Sequence, residues 1–470
     1  MKHPLWDKRA APARSRRQAA AAGLLCATLS ACATYAPATL PDRPDLADGL
    51  SRLTVTPAEM PLPELGSHPF DPSLPLDMDE IAMIAVVNNP DLKGVRDQAG
   101  VAGAQAFAAG LLPNPQFSFS YGFLGGGPGA ANSLSAGITQ DVVALLTRSA
   151  RRSAASASER SARLNVLWQE WQIVSQARTL FVRTVELDRQ RAILETNRQL
   201  FRERYRRSST AMQRGDEVLP TVTSDLVAVQ SVETLLHDLD QQILKNRHDL
   251  DALLGLTPDA RLRLADTVAV APVDAATLST ILPDLARRRP DLLALAAGYR
   301  AQEENLRLAI IEQFPALSIG PTFTRDTTPI STFGPSITLS LPIFNRNQGN
   351  IAVGRATRQQ LRDEYQARLD AAYGAAARLL TEMQLLEDQY RASNEGVGQL
   401  RAAVETADRA YRTGNLDERS YVDLRGSLLS KEVETVRLEQ ALLEQRIALR
   451  TLIGSNLPVT ETGKNLAKAP

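Results

Sequence analysis

Gln116-Phe117-Ser118-Phe119-Ser120-Tyr121-Gly122-Phe123 alternates a large apolar side chain with a small one at every step from Phe117 on. Successive side chains of a strand point to opposite faces, so this is a strand with one greasy face and one small polar face. Gly125 to Gly129 reads as a loop between strands. A second strand then sets Leu134, Ala136 and Ile138 against Ser133, Ser135, Gly137 and Thr139. The pattern returns further on. Leu317, Ile319 and Phe323 alternate with Ser318, Gly320, Thr322 and Thr324, the chain turns over 326–329, and Ile337, Leu339 and Leu341 alternate with Ser336, Thr338 and Ser340. The expected hairpins span 116–142 and 316–342.

Landmarks around the hairpins repeat as well. Asn89-Pro90-Asp91-Leu92 returns as Arg289-Pro290-Asp291-Leu292, and Pro115 as Pro315, at offsets of 200. Arg214-Gly215-Asp216 returns as Thr413-Gly414-Asn415, and Leu254-Gly255 as Ile453-Gly454, at offsets of 199. A constant offset means two copies of one structural unit, here over 77–256 and 283–455, joined by a linker at 257–282.

Each unit holds a first helix, the hairpin, a very long helix and a returning helix. The first helix is expected from about Asp77 to Leu112, with a break or bend near Pro90, and is stopped by Pro113 and Pro115. No proline lies between Pro128 and Pro220, and no glycine between Gly137 and Gly215. A helix over 145–213 would be about 100 Å long. Its counterpart, 347–412, carries Leu361, Tyr365, Leu369, Ala372, Ala376, Leu379, Met383, Leu386 and Tyr390, a coiled-coil-like seam of three- and four-residue steps. Gly374, Gly396 and Gly398 weaken it locally. Returning helices follow the turns at Gly215 and Gly414, over roughly 219–254 and 417–453. First and returning helix together match the long one in length, which predicts two short rods stacked end to end beside one long rod.

The N-terminus reads as a targeting segment. Lys8, Arg9, Arg14, Arg16 and Arg17 precede a short apolar run, Ala19 to Leu29, too short to span a bilayer. Leu29-Ser30-Ala31-Cys32 resembles a bacterial lipobox. That resemblance implies cleavage after residue 31, acylation of Cys32, and, with Ala33 next, delivery to the outer membrane; two or three acyl chains anchor stably. Cys26 would be lost, leaving Cys32 alone and no internal disulfide. Removing residues 1–31 leaves 47 Lys and Arg against 52 acidic residues, a net charge of −5. That is no footprint for nucleic acid. Residues 32–76 read as an extended arm and 456–470 as a tail.

The strand faces indicate an environment. Apolar-out and small-polar-in over eight to ten residues is the transmembrane β pattern. Four strands alone leave two open edges, which lipid cannot satisfy, so other copies of the chain must close them. Two copies give eight strands, with an interior filled by side chains; three give twelve and room for a channel. A soluble sheet over a hydrophobic core is the bland alternative.

The repeat, the Pro-then-strand order and Leu341-Pro342-Ile343-Phe344-Asn345-Arg346-Asn347-Gln348-Gly349-Asn350-Ile351 resemble the TolC-like outer membrane efflux factors over roughly 77–455. Leu112-Pro113-Asn114-Pro115 and the stretch from Asn345 to Ile351 look most like the branch serving heavy-metal exporters of the resistance-nodulation-division class, while Arg288-Arg289-Pro290-Asp291 also resembles drug-exporting members. The resemblance implies a mixed fold of membrane β-barrel and long α-helical barrel, with four transmembrane strands per protomer and a homotrimer closing a twelve-stranded barrel. It implies tunnel tips that meet a periplasmic adaptor and an inner-membrane pump. The glycine turns at Gly215 and Gly414 would be those tips.

The acidic residues near the turns are Asp216, Glu217 and Asp225 in the first copy and Asp417, Glu418 and Asp423 in the second. In the family a ring of carboxylates lines the closed entrance, where it would attract cations; Asp423 is the first candidate and Asp417 the next. Arg214, Arg412 and Arg419 are candidates for inter-helix links that keep the gate shut. Each has a plainer reading as a solvated helix charge. Trp168 and Trp171 read as core packing, and His237 and His248 as surface positions too far apart to share a metal. No metal-ligand spacing, phosphate loop or nucleophile elbow occurs. The chain is therefore expected to be no enzyme and to need no cofactor beyond the lipid on Cys32. It is expected to act as the exit duct of a tripartite efflux system in a Gram-negative outer membrane. The alternatives are the duct of a type I protein-secretion system and, from a different class, a lipid-anchored periplasmic coiled-coil scaffold.

Overall fold

The computed structural model describes residues 35–457, apart from 54, 58, 59, 61, 128–130, 329 and 456. The expected targeting segment with Cys32 and the end of the expected tail lie outside the described residues. The chain divides into two units, one up to Asp45 and one from Leu46 on. The described part of the first, 35–45, contains no helix or strand.

In the second unit α1 (Met78–Asn88) and α2 (Pro90–Ala109) lead to β1 (Gln116–Gly122) and β2 (Ser133–Asp141). Then come α3 (Val142–Gln213) and α4 (Leu219–Leu254). The series repeats as α5 (Pro290–Ile311), β3 (Ala316–Arg325), β4 (Ser331–Ser340), α6 (Gln348–Arg412) and α7 (Glu418–Leu452). Short helices at Pro63–Gly66 and Ala275–Ile281 lie in the connecting segments. Among the described residues no helix is long and apolar enough to cross a membrane.

Local chemistry sets the helix ends. Asp77 caps α1 in a capping box with Glu80: its carboxylate accepts from the Asp79 and Glu80 amides while Glu80 accepts from Asp77 N. At Pro90, where a break or bend is expected, the helix breaks fully, with Pro90 opening α2 and the Asn89 side chain accepting from Leu92 N. Asp141 caps α3 through Ala144 N. The 72 residues of α3 make a rod of about 110 Å. α6 runs unbroken through Gly374, Gly396 and Gly398.

Both long helices have shorter ones beside them. α3 packs on α1, α2 and α4, and α6 on α5 and α7; α5 and α7 also pack on α3. The two stacks are pinned in parallel ways. Asn89 Nδ2 donates to Leu253 O at 2.9 Å, and Arg289 Nη1 donates to Leu452 O at 3.2 Å. In each case the residue before a helix-opening proline closes the end of the returning helix, satisfying a carbonyl that the helix leaves unpaired. Gly255 makes the left-handed turn there (φ 70°), and a Cβ at this position would sit 2.9 Å from Asn88 O.

The largest core lies where α1, α3 and the end of α4 meet the segment before α1. Ile81 to Val86, Phe181, Leu62 and Leu65 are fully buried in it, and Trp171 belongs to it with Trp168 packed alongside. The preceding segment is stitched to the one after α4 by two isolated parallel bridges, Ala47 with Leu256 and Leu76 with Leu264. Glu64 of that segment faces Arg178 of α3 at 3.4 Å and Arg450 of α7 at 3.6 Å.

β1, β2, β3 and β4 form one antiparallel sheet in sequence order. In β3, Gly320 faces Thr139, and a Cβ there would lie 1.7 Å from Ile138 O, so only glycine fits. The β2–β3 ladder skips this point, where Pro321 has no amide to donate.

Candidate pore and gate elements

The register sorts the sheet into two faces. Phe117 pairs with Ile138, Phe119 with Ala136 and Tyr121 with Leu134. Leu317 pairs with Leu339, Ile319 with Ile337 and Phe323 with Phe333. All of these share one face, while Ser118, Ser120, Ser135, Gly137, Thr322, Thr324, Gly334, Ser336 and Thr338 share the other. The apolar face is bare: Phe117, Phe119, Phe333 and Ile337 are all exposed. A soluble sheet would cover such a face with helices, and here the long helices extend from one end of the sheet instead. β1 and β4 are open edges.

At the far end of the long helices, Gly215 (φ 84°) and Gly414 (φ 74°) make the turns into α4 and α7. In each turn the second amide reaches back, Asp216 N to Ala211 O and Asn415 N to Ala410 O. Only a residue at ease with positive φ completes this cap, which is why glycine stands at both sites.

The acidic residues around the turns have different surroundings. Asp216 is exposed. Glu217 accepts from Val218 N, which helps hold its carboxyl below the usual range. Asp417 caps α7, taking Ser420 Oγ at 2.7 Å and Ser420 N at 2.9 Å; these bonds hold its carboxyl low. Glu418 pairs with Arg207 at 2.6 Å. Asp423, 58% exposed, bonds Arg204 Nη1. Asp225 differs from the others. It is 1% exposed and lies between Arg204 Nε at 3.1 Å and Arg419 Nη2 at 3.2 Å. Its charge is compensated within the chain.

The expected arginine links divide likewise. Arg419 joins α7 to α4 through Asp225. Arg412 pairs with Asp408 one turn back on its own helix. Arg214 is the exposed C-cap of α3 and makes no ion pair among the described residues. The arginine that does the joining is Arg204, which sequence reasoning missed. It is buried on α3, forms ion pairs with acids on both α4 and α7, and lies over the Phe201 ring at 4.9 Å.

A signal for Arg204 was present. The inward positions of α3 run Leu187, Gln190, Leu194, Asn197, Phe201, Arg204, in steps of three and four. Those of α4 run Val222, Asp225, Val229, Val232, Leu236, Leu239 in the same rhythm. Arg204 and Asp225 are the charged members of two apolar seams, and a charge in such a seam needs a partner across it. Of the other residues named from the sequence, His237 and His248 are exposed. Among the described residues no group of three or more His, Cys, Asp or Glu is placed to hold a metal.

Residues 281–455 match the family model of outer membrane efflux proteins. The pyoverdine export outer membrane protein OpmQ of Pseudomonas putida is 28% identical over 238 residues, 49% of this chain and 50% of that protein. The cation efflux system protein CusC of Escherichia coli is 24% identical over 261 residues, 51% of this chain and 56% of that protein. The matched region thus spans about half the length of these curated relatives. A solved structure of CusC superposes with a TM-score of 0.66 at 20% identity, covering 80% of this chain and 92% of that one. The outer-membrane channel OprN superposes with a TM-score of 0.65 at 15% identity, covering 90% and 99%. These structural likenesses show the fold, a long α-helical body joined to a β part.

Proposed function

We propose that the chain is the exit duct of a tripartite efflux system, a reading supported by the match of residues 281–455 to the family model of outer membrane efflux proteins. In this reading it conducts cargo passively from an inner-membrane pump and a periplasmic adaptor through the outer membrane. The observation that carries the reading is the bare apolar face of a sheet with two open edges and a small hydroxyl-and-glycine face behind it. Lipid satisfies the apolar face, and closure by further copies satisfies the edges. Three copies would close twelve strands around a lumen lined by Ser, Thr and Gly, with Cys32 carrying the lipid anchor. The long helices would continue that lumen as a periplasmic tunnel ending at Gly215 and Gly414.

At the tips, Arg204 and Arg419 would hold α3, α4 and α7 together around Asp225 and so keep the entrance narrow. Asp216, Asp417 and Asp423 are the exposed carboxylates left to meet cations there. Nothing in this arrangement supplies energy, so the pump must drive transport.

The test is planar-bilayer conductance of the purified protein with divalent cations titrated in. Small single channels blocked by divalent ions, with block weakened in Asp423→Ala or Asp417→Ala, are the expected result. A protein that never inserts and remains a soluble elongated particle would overturn the duct and favour the lipid-tethered scaffold.

A further inference from the structure

We propose that the loop between β4 and α6 is a clasp for a second copy of this chain, seating Ile343 and Phe344 against the neighbour's Phe107, Leu111 and Leu112. The proposal rests on the ring closure argued above and names the side chains that lock one copy to the next at the base of the barrel.

The two repeats differ at this point. β2 runs directly into α3, with Asp141 the last strand residue and Val142 the first helical one. In the second repeat residues 341–347 intervene between β4 and α6. This extra stretch leaves Ile343 and Phe344 67% and 94% exposed.

Hydrogen bonds fix the loop in this shape. Ile343 N donates to Leu341 O at 2.9 Å, and Arg346 N donates to Gln348 Oε1 at 2.7 Å. Asn347 takes the left-handed conformation (φ 60°), which Asn tolerates better than most residues. Its amide donates to Asn345 Oδ1 and its side-chain Nδ2 to Ala309 O, both at 2.9 Å. A slack loop would turn its phenyl group inward. A loop held this way presents the group to a partner with the ordering cost already met.

A matching patch lies at the other edge of the sheet. Phe107, Leu111 and Leu112, just before β1, are all exposed. Their segment is also pinned: Arg148 Nε donates to Gly110 O at 2.8 Å, and Gln140 Nε2 donates to Pro113 O at 3.2 Å. Because neighbouring strands are antiparallel throughout, β1 starts and β4 ends at the same end of the sheet. The two patches therefore stand at opposite edges and at one level. Head-to-tail closure brings the first patch of each copy beside the second patch of the next. Lipid is the rival occupant. However, the patches continue the sheet edges, where the backbone groups need protein rather than acyl chains.

The test combines oligomer size, cross-linking and lipid contact. In membranes, L112C/F344C should oxidise to a covalent ladder of copies on a denaturing gel, and neither single variant should. F344W should add fluorescence that brominated lipids do not quench. F344S should weaken association of the copies by ~10-fold or more, the loss expected for one buried phenyl group. Closed oligomers that neither cross-link nor shield F344W from brominated lipid would overturn the clasp and leave the duct standing. A chain that remains monomeric in the membrane would overturn both.

Discussion

Arg204 of α3 and Asp225 of α4 face each other from buried positions of two helical seams, Nε to Oδ1 3.1 Å apart. Neither Asp225 oxygen has an aligned hydrogen bond, so the pair is held by charge, with Arg419 on the far side of the carboxylate. Buried ion pairs add little net stability but are costly to break from one side.

Arg204→Met should therefore destabilise the tip by about 3 kcal/mol, since only Arg419 would then compensate Asp225. The double variant Arg204→Met/Asp225→Leu should recover most of that loss. A thermal or denaturant double-mutant cycle measures the coupling. Under the duct reading the single variant should also raise single-channel conductance; unchanged conductance together with strong coupling would assign the pair to stability alone.

The two faces of the sheet should respond oppositely to a charge. Phe119→Lys puts an ammonium on the apolar face and should cost about 2–4 kcal/mol if that face meets lipid at mid-depth. Ser120→Lys, one residue on, should insert normally and alter conductance. Membrane flotation and bilayer recording separate the two, and equal insertion of both variants would count against a lipid-facing sheet.

Gly255 and Gly215 both have positive φ, but their surroundings differ. A Cβ at 215 meets open space, whereas one at 255 meets Asn88 O at 2.9 Å. Gly215→Ala should cost only the backbone strain, about 1–2 kcal/mol. Gly255→Ala should cost more, because it also pushes α4 off the α1–α2 junction. Unfolding midpoints of the two variants give the comparison.

Glu203 provides a pH marker on the outer side of α3. Hydrogen bonds from Arg206 and Arg207 lower its carboxyl from 4.5 to about 2. A carboxyl depressed by folding stabilises fully above its unfolded value, and the contribution fades as pH falls through its folded value. The stability difference between wild type and Glu203→Gln should thus be constant above about pH 5 and vanish near pH 2. It should shrink in high salt, since the group is open to solvent on one side. A difference that grows on acidification would contradict the pairing.

The elements themselves were legible because each depends on short-range rules. Alternation marked β1 to β4, prolines marked the break at Pro90 and the helix stops, and Gly215, Gly255, Gly414 and Gly454 all take the positive φ that turns require. The two faces of the sheet were legible too, since period two places side chains on faces regardless of what lies opposite.

Charge partners were not legible in that way. Asp225 and Asp423 both read as acids near a turn, and Arg204 as one of a run of arginines. Rotation of two helices about their axes puts Asp225 and Arg204 inside and leaves Asp423 half outside. The exposure of Phe344 likewise followed from a loop closed by Asn347 onto Ala309, a contact 38 residues away in sequence. The sequence by itself determined the elements, their repetition and the two faces of the sheet, because those are properties of backbone and period. The tertiary structure decided which charges are spent inside the protomer and which apolar groups remain for another molecule, because that depends on which helices meet and at what rotation.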